Sequence, residues 1–230
     1  MKNFDYTGKD NLDIMSFAKN YNKYLTKLVE AHAPDGGTFL DFGAGTGFFA
    51  ERVSNQKRKL LCVEPDDDQA DEIRKKGFRA VINCEELIDR AADFSYSLNV
   101  LEHIEDDCKA MREIYRVLKP GSFFVVYVPA MPCLYSSMDE KVKHFRRYTR
   151  RELTSKLKSE GFDVVSCRYA DILGVPATLA YKLVGSKSGD VSLRGLVAYD
   201  RYAFPLSKVL DTLTHRIAGK NVLAVARKPI

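Results

Sequence analysis

The run Leu40-Asp41-Phe42-Gly43-Ala44-Gly45-Thr46-Gly47 constrains this chain more than any other stretch. A short apolar segment, Thr38 to Phe42, ends in glycines spaced by single residues, and a helix-forming stretch from Phe48 to Asn55 follows at once. Glycine has no Cβ, so such a loop turns tightly and lets a ligand approach the backbone. A strand feeding a helix through it opens a βαβ unit. The dinucleotide fingerprint G-x-G-x-x-G carries a third glycine where helix packs on strand. Phe48 occupies that position here, and the loop reads G-x-G-x-G instead.

The remainder alternates in the same way. Apolar segments at Leu60–Val63, 78–82, Asp93–Leu98, Ser122–Val128, Phe162–Arg168 and Val222–Ala226 predict six further strands. Between them, helical spacing predicts helices over 12–32, 67–76, 106–118 and 150–161, the last opened by the capping-box pattern Thr149-Arg150-Arg151-Glu152. Lys119-Pro120-Gly121 reads as the stop after 106–118. Strands alternating with helices imply an α/β fold, a mostly parallel sheet covered on both faces. Ligands in such sheets bind beyond the carboxyl ends of the strands. Residues 1–34 read as an N-terminal helical cap. Residues 170–220 break the alternation, with two apolar helical pieces, Ile172–Val184 and Tyr202–Ile217, around Gly185-Ser186-Lys187-Ser188-Gly189. A connection that long suggests a helical insertion or lid within one domain spanning 1–230.

At 230 residues the chain buries enough surface to dispense with disulfides or structural metals. Cys62, Cys84, Cys108, Cys133 and Cys167 form no C-x-x-C pair, which excludes a zinc ribbon; no metal site is read from the spacing. Met1-Lys2-Asn3-Phe4-Asp5 shows no secretory leader and no segment is apolar enough to span a membrane, so the expected setting is cytoplasmic. The net charge of +5 is too modest to indicate a nucleic-acid binder by itself.

Glu64 ends the second predicted strand, where an acid can accept both hydroxyls of an adenosine ribose. Together with the glycine loop, Val63-Glu64-Pro65-Asp66, Ser97-Leu98-Asn99-Val100-Leu101-Glu102-His103-Ile104 and Arg116-Val117-Leu118-Lys119-Pro120-Gly121 resemble the motifs of class I S-adenosylmethionine-dependent methyltransferases. The resemblance covers residues 38–170 and the last strand. It implies a Rossmann-like seven-stranded sheet whose last strand is antiparallel, making 162–168 and 222–226 neighbours despite the insertion. It implies S-adenosyl-L-methionine as cofactor and S-adenosyl-L-homocysteine as product. Asp41, Gly43, Ala44, Gly45 and Gly47 would form the loop under the methionine and ribose. Glu64 and Pro65 would meet the ribose, Asn83 and Cys84 the adenine, and Asn99 the methionine portion. Tyr21 would close over the cofactor from the N-terminal helix.

The acceptor is less constrained. Methyl transfer from a sulfonium needs alignment above all, and a base only where the acceptor must lose a proton. His103 and His144 follow predicted strand ends and are the candidate bases; His32 and His215 read as surface residues on helices. Residues 141–158 carry Lys141, Lys143, Arg146, Arg147, Arg150, Arg151, Lys156 and Lys158 against the single acid Glu152. Arg146 and Arg147, with Tyr148, are the expected grip on an anionic acceptor. The stretch Pro129–Tyr148, with the helix around Asn20–Leu25, resembles a subgroup of bacterial methyltransferases commonly of unassigned substrate, some of which resemble enzymes acting on sugars or carrier-linked intermediates; this favours a small or carrier-bound acceptor. The leading expectation is methyl transfer to oxygen or nitrogen of such an acceptor. The alternatives are an RNA methyltransferase using 141–158, a non-catalytic cofactor-binding protein, and a nicotinamide dehydrogenase disfavoured by Phe48. The insertion would form the acceptor-side lid, or a dimer or peripheral membrane contact.

Overall fold

A computed structural model describes residues 14–184, 189 and 192–230. Met1–Asp5 and most of the Gly185–Gly189 bridge lie outside these residues.

Strands and helices alternate from α1 (Lys19–Glu30) through β1 (Gly37–Phe42), α2 (Phe48–Val53), β2 (Arg58–Val63), α3 (Asp67–Lys75), β3 (Arg79–Val81) and β4 (Ala92–Leu98) to α4 (Asp107–Val117) and β5 (Leu118–Pro129). Then come α5 (Ser137–Lys141), α6 (Arg150–Ser159), β6 (Asp163–Ala170), α7 (Gly174–Val184), α8 (Leu193–Ala198), a π-helical turn (Tyr199–Ala203), α9 (Phe204–Thr214) and β7 (Asn221–Arg227). The seven strands form one sheet in the order β3-β2-β1-β4-β5-β7-β6. Every pairing is parallel except those of β7, which runs antiparallel to both β5 and β6.

Alternate side chains of each strand enter opposite core layers. Leu40, Phe124 and Val126 pack on one face with Met111 and Ile114 of α4 and Leu153 and Leu157 of α6. Phe39, Tyr96, Val125 and Tyr127 pack on the other with Leu25 and Val29 of α1 and Ile73 of α3. At roughly 25 cal/mol per Å² of apolar surface, these two layers supply the main drive for folding.

Four expectations change. Leu118 already pairs with Ala92, so β5 begins before the Lys119-Pro120-Gly121 stop; a register shift and Gly121 at φ 82° absorb the turn within the strand. The N-terminal helix is broken at Phe17–Ala18 and restarts at Lys19. Among its described residues the insertion holds three helices and a π-helical turn rather than two helices. His32 and His215 sit in turns just beyond α1 and α9.

The insertion is tied to the N-terminal helix. Ala18 has no side chain able to cap α1. Asp200, from the π-helical turn, does so instead: its carboxylate accepts the N–H groups of Asn20 at 2.9 Å and Tyr21 at 2.8 Å. A carboxylate there also complements the helix dipole. Asp211 of α9 likewise accepts the N–H groups of Asp171 and Ile172. The insertion leaves Tyr202, Leu206, Val209, Leu213 and Ile217 exposed along one helical stripe. Among the described residues no helix is long and apolar enough to cross a membrane.

Candidate active site

One cavity of about 700 Å³ lies beyond the carboxyl ends of β1, β2 and β4, where an open α/β sheet is expected to bind its ligand. One wall is main chain. Gly43 and Ala44 both donate to the Val63 carbonyl, pinning the loop to β2. Gly43 has φ 78°, and a Cβ there would stand 2.3 Å from Val100 Cγ1. No larger residue fits without moving the segment after β4. Gly47, at φ 77°, starts α2 against Ile73.

Glu64 is buried at the end of β2. The Gly45 N–H donates to its Oε2 at 2.8 Å and the Asp66 N–H to its Oε1 at 3.0 Å. Burial raises its carboxyl pKa, while those two N–H groups oppose the shift. Each oxygen keeps a lone pair for a further donor. Asp41 lies behind the loop, only 3% exposed, and burial pushes its carboxyl to about 7. Gly43, Ala44, Gly45, Glu64, Pro65, Asn83, Cys84 and Asn99 all line the cavity. The Asn83 side-chain oxygen accepts the Glu85 N–H at 2.9 Å, so this residue caps a 3-10 turn at the cavity edge.

Asn99 adopts φ 55°, a strained conformation for a side-chain-bearing residue, and its N–H donates to the Tyr127 carbonyl at 2.7 Å. Its side-chain amide meets the Tyr21 hydroxyl at 3.1 Å. Asn99, expected near the methionine portion, and Tyr21, expected to close over the cofactor, are therefore in contact. Tyr21 itself packs edge-on against Tyr127 and Phe204, and its neighbours Met15, Ser16 and Asn22 line the cavity in its place.

The other wall is built from side chains. Leu101–His103 forms a 3-10 turn after β4, and the Phe145 N–H donates to the Glu102 carbonyl at 2.8 Å, bringing the loop before α6 alongside. His103 and His144 then meet edge to face, ring centres 4.5 Å apart. His103 and Phe145 reach the cavity. Asp139 Oδ1 lies 2.8 Å from His144 Nδ1 and also accepts Arg147 Nε at 2.8 Å. Burial would raise the Asp139 carboxyl, but His144 and Arg147 hold it below the usual range, so it stays ionised and accepts. His144 Nε2 lies 3.9 Å from Glu102 Oε1. Glu102 is 0% exposed, and neither carboxylate oxygen has a hydrogen-bond partner among the described residues. Burial pushes its carboxyl up to about 7 and lowers His103 to about 3, where His144 adds to the effect.

The arginines expected to grip an anion are turned elsewhere. Arg147 is 5% exposed and bonds Asp139 and the Ala130 carbonyl. Arg146 pairs with Asp107 at 2.9 Å. Tyr148 is fully buried and donates to Asp107 at 2.7 Å, and Lys156 pairs with the same carboxylate. Burial would raise Asp107, but Lys156, Tyr148 and Arg146 lower it. Within the basic segment, Arg146 and Lys156 thus pair with the buried Asp107 of α4, and Arg147 with the buried Asp139, because buried carboxylates need such partners. In the sequence, Glu102 stands out only as part of the segment after β4, and Asp139 has no assigned role. The only available signal was the acid five residues before His144; burial and convergence were not visible.

The sheet order and the cradle around Glu64 are those expected of the class I S-adenosylmethionine-dependent methyltransferase fold. Comparison with known proteins agrees: residues 40–126 match the family described as a methyltransferase domain. A probable S-adenosylmethionine-dependent methyltransferase of Mycolicibacterium smegmatis is 30% identical over 152 residues, covering 63% of this chain and 57% of that protein. One from Mycobacterium tuberculosis is 29% identical over 136 residues, covering 56% of this chain and 50% of that protein. The chain thus spans little more than half of these relatives. Among solved structures, an S-adenosylmethionine-dependent methyltransferase of Thermotoga maritima superposes with a TM-score of 0.63 at 20% identity, over 97% of both chains. A phosphoethanolamine N-methyltransferase of Haemonchus contortus, in complex with S-adenosylmethionine, gives 0.62 at 17%, over 90% of this chain and 53% of that one. These two establish the fold.

The residues present fit S-adenosylmethionine. The loop has no room for a Cβ at Gly43, Glu64 keeps acceptor capacity at the strand end, and the cavity is large enough for a nucleoside with its amino-acid tail.

Proposed function

We propose that the protein transfers a methyl group to an oxygen or nitrogen of a small or carrier-linked acceptor. The observation that carries this reading is that the cofactor cradle and His103, with Glu102 and His144 packed beside it, meet at one cavity. S-adenosylmethionine, when bound, supplies a methyl group on a sulfonium already activated for displacement. Glu64 and the glycine loop hold and orient the nucleoside end. His103 and Phe145 form the wall on the acceptor side, and His144 and Asp139 fix the position of His103 from behind. Acceptors that must lose a proton benefit from such a cluster.

The lining of the cavity supports a small acceptor over a nucleic acid. Glu64, Glu85, Glu105, Asp106 and Glu113 face it against Lys109. That balance suits a cationic cofactor and repels a phosphate backbone. With Arg146 and Arg147 engaged by carboxylates, recognition of an anion is not part of the reading. The exposed stripe Tyr202, Leu206, Val209, Leu213 and Ile217 supports an apolar carrier, since such surface on a protein is usually a contact site.

The test is release of S-adenosylhomocysteine, measured by mass spectrometry, across hydroxyl and amine acceptors offered free in solution or lipid-linked in detergent, with RNA as a further arm. Turnover with a free or lipid-linked acceptor is expected. Turnover with RNA alone, or tight cofactor binding with no turnover, overturns the proposal.

A further inference from the structure

We propose that Glu102, His103 and His144 form a binding site for one divalent first-row transition cation at the acceptor end of the cavity. The inference deepens the proposed function, because it places the ion where an acceptor oxygen would sit.

Three observations carry it. First, one ligand atom from each residue can be chosen so that all lie within 4.8 Å of one another. Metal bonds of about 2.1 Å in tetrahedral geometry put donors about 3.4 Å apart, so small side-chain rotations bring the three onto one ion.

Second, Glu102 is fully buried with two carboxylate oxygens that no described residue satisfies by a hydrogen bond. A buried carboxylate without donors is costly, and it sits opposite a histidine nitrogen. The Glu102 Oε1 and the His144 Nε2 stand 3.9 Å apart. A cation between them would be held by both.

Third, Asp139 stands behind His144 as metal-binding sites require. A histidine ligand usually donates its other nitrogen to a carboxylate, which fixes the tautomer and the ring orientation. Asp139 is itself fixed by Arg147 and by the Ser136 N–H, and it opens α5. The His144 N–H donates to the Asp139 carbonyl at 2.8 Å, and Lys143 takes φ 59° to turn the chain there. These constraints aim Nε2 at Glu102.

Two histidines and one carboxylate suit zinc, iron, cobalt or manganese better than magnesium or calcium. They also leave coordination positions open. Glu105 and Asp106, which line the cavity beside His103, add negative potential on the approach.

The experiment strips the full chain with EDTA and titrates it with Zn²⁺ by calorimetry and with Co²⁺ by visible absorption. S-adenosylmethionine affinity is measured in parallel. One ion per chain at micromolar affinity or tighter is expected. Glu102→Gln and His144→Ala should each weaken it at least tenfold, with cofactor affinity within twofold. Asp139→Asn should weaken metal binding about 10- to 100-fold. Stripped protein that binds S-adenosylmethionine but takes up no ion overturns the inference, and so does uptake unchanged in Glu102→Gln, which is isosteric and removes a buried charge. Metal uptake without any methyl transfer leaves this site standing and counts against the proposed function. Methyl transfer indifferent to EDTA, with no uptake, does the reverse.

Discussion

At the ends of β1 and β2 the site is main chain; at the end of β4 and before α6 it is side chains. The cofactor wall depends on what the backbone can do: turn at Gly43, approach closely at Gly45, and hand two N–H groups to Glu64. The acceptor wall depends on Glu102, His103, Asp139 and His144, drawn from two loops and locked by one another. A backbone cradle tolerates most neighbours but no bulk at its closest point. A side-chain cluster tolerates bulk elsewhere but no loss of a member. The first can serve many enzymes of one class, and the second is where they differ.

Gly43→Ala should break the first wall outright. The added Cβ overlaps Val100 at an unfavourable φ, and a loss of cofactor affinity of at least about 100-fold is expected by calorimetry, with circular dichroism to confirm folding. Affinity within threefold of the parent would mean the loop does not depend on close approach. His144→Ala addresses the second wall. It should lower turnover about 100-fold and leave cofactor affinity within twofold. A parallel loss of cofactor binding would show that the walls are one unit.

Glu64→Ala should cost about 30-fold in cofactor affinity, the worth of one charge-assisted hydrogen bond of about 2 kcal/mol. Turnover at saturating cofactor should hold, which separates its role from that of His144.

A smaller effect is linked to pH. The Asp41 carboxyl lies near 7 in the folded chain, above its ordinary 3.8. The folded state keeps a proton that the unfolded state has lost, so stability falls as pH rises from about 4 to about 7. Asp41→Asn removes that decline, and its gain in melting temperature should be larger at pH 8 than at pH 5. Equal gains at both would show that the loop relieves Asp41 in another way. Smallest, Asp200→Ala should lower stability by about 1 kcal/mol in urea, the worth of a helix cap. No change would mean that α1 does not rely on the insertion.

The same contrast decides what could be read in advance. Glycine spacing, the acid ending β2 and the apolar periods are local, so the sheet, the cofactor and Glu64 were legible in the chain. Arg146 and Arg147 were legible as charges but not as partners, because Asp107 and Asp139 come from elsewhere in the sequence. Glu102 looked ordinary, since nothing local states that a carboxylate is fully buried. Asp200 could not be assigned to a helix about 180 positions away.

The position of β7 has a consequence for synthesis. It lies between β5 and β6 and is the only strand β6 pairs with. As the chain leaves the ribosome, β1 to β5 can assemble in turn, each against a strand already made. β6 emerges with nothing to join, and it waits while residues 171–220 are translated. During that interval the edges of β5 and β6 are both open, which is when an unfinished sheet is most prone to join another chain. Completion comes as an insertion into a gap rather than an addition at an edge. The acceptor wall, anchored through α6 next to β6, settles last.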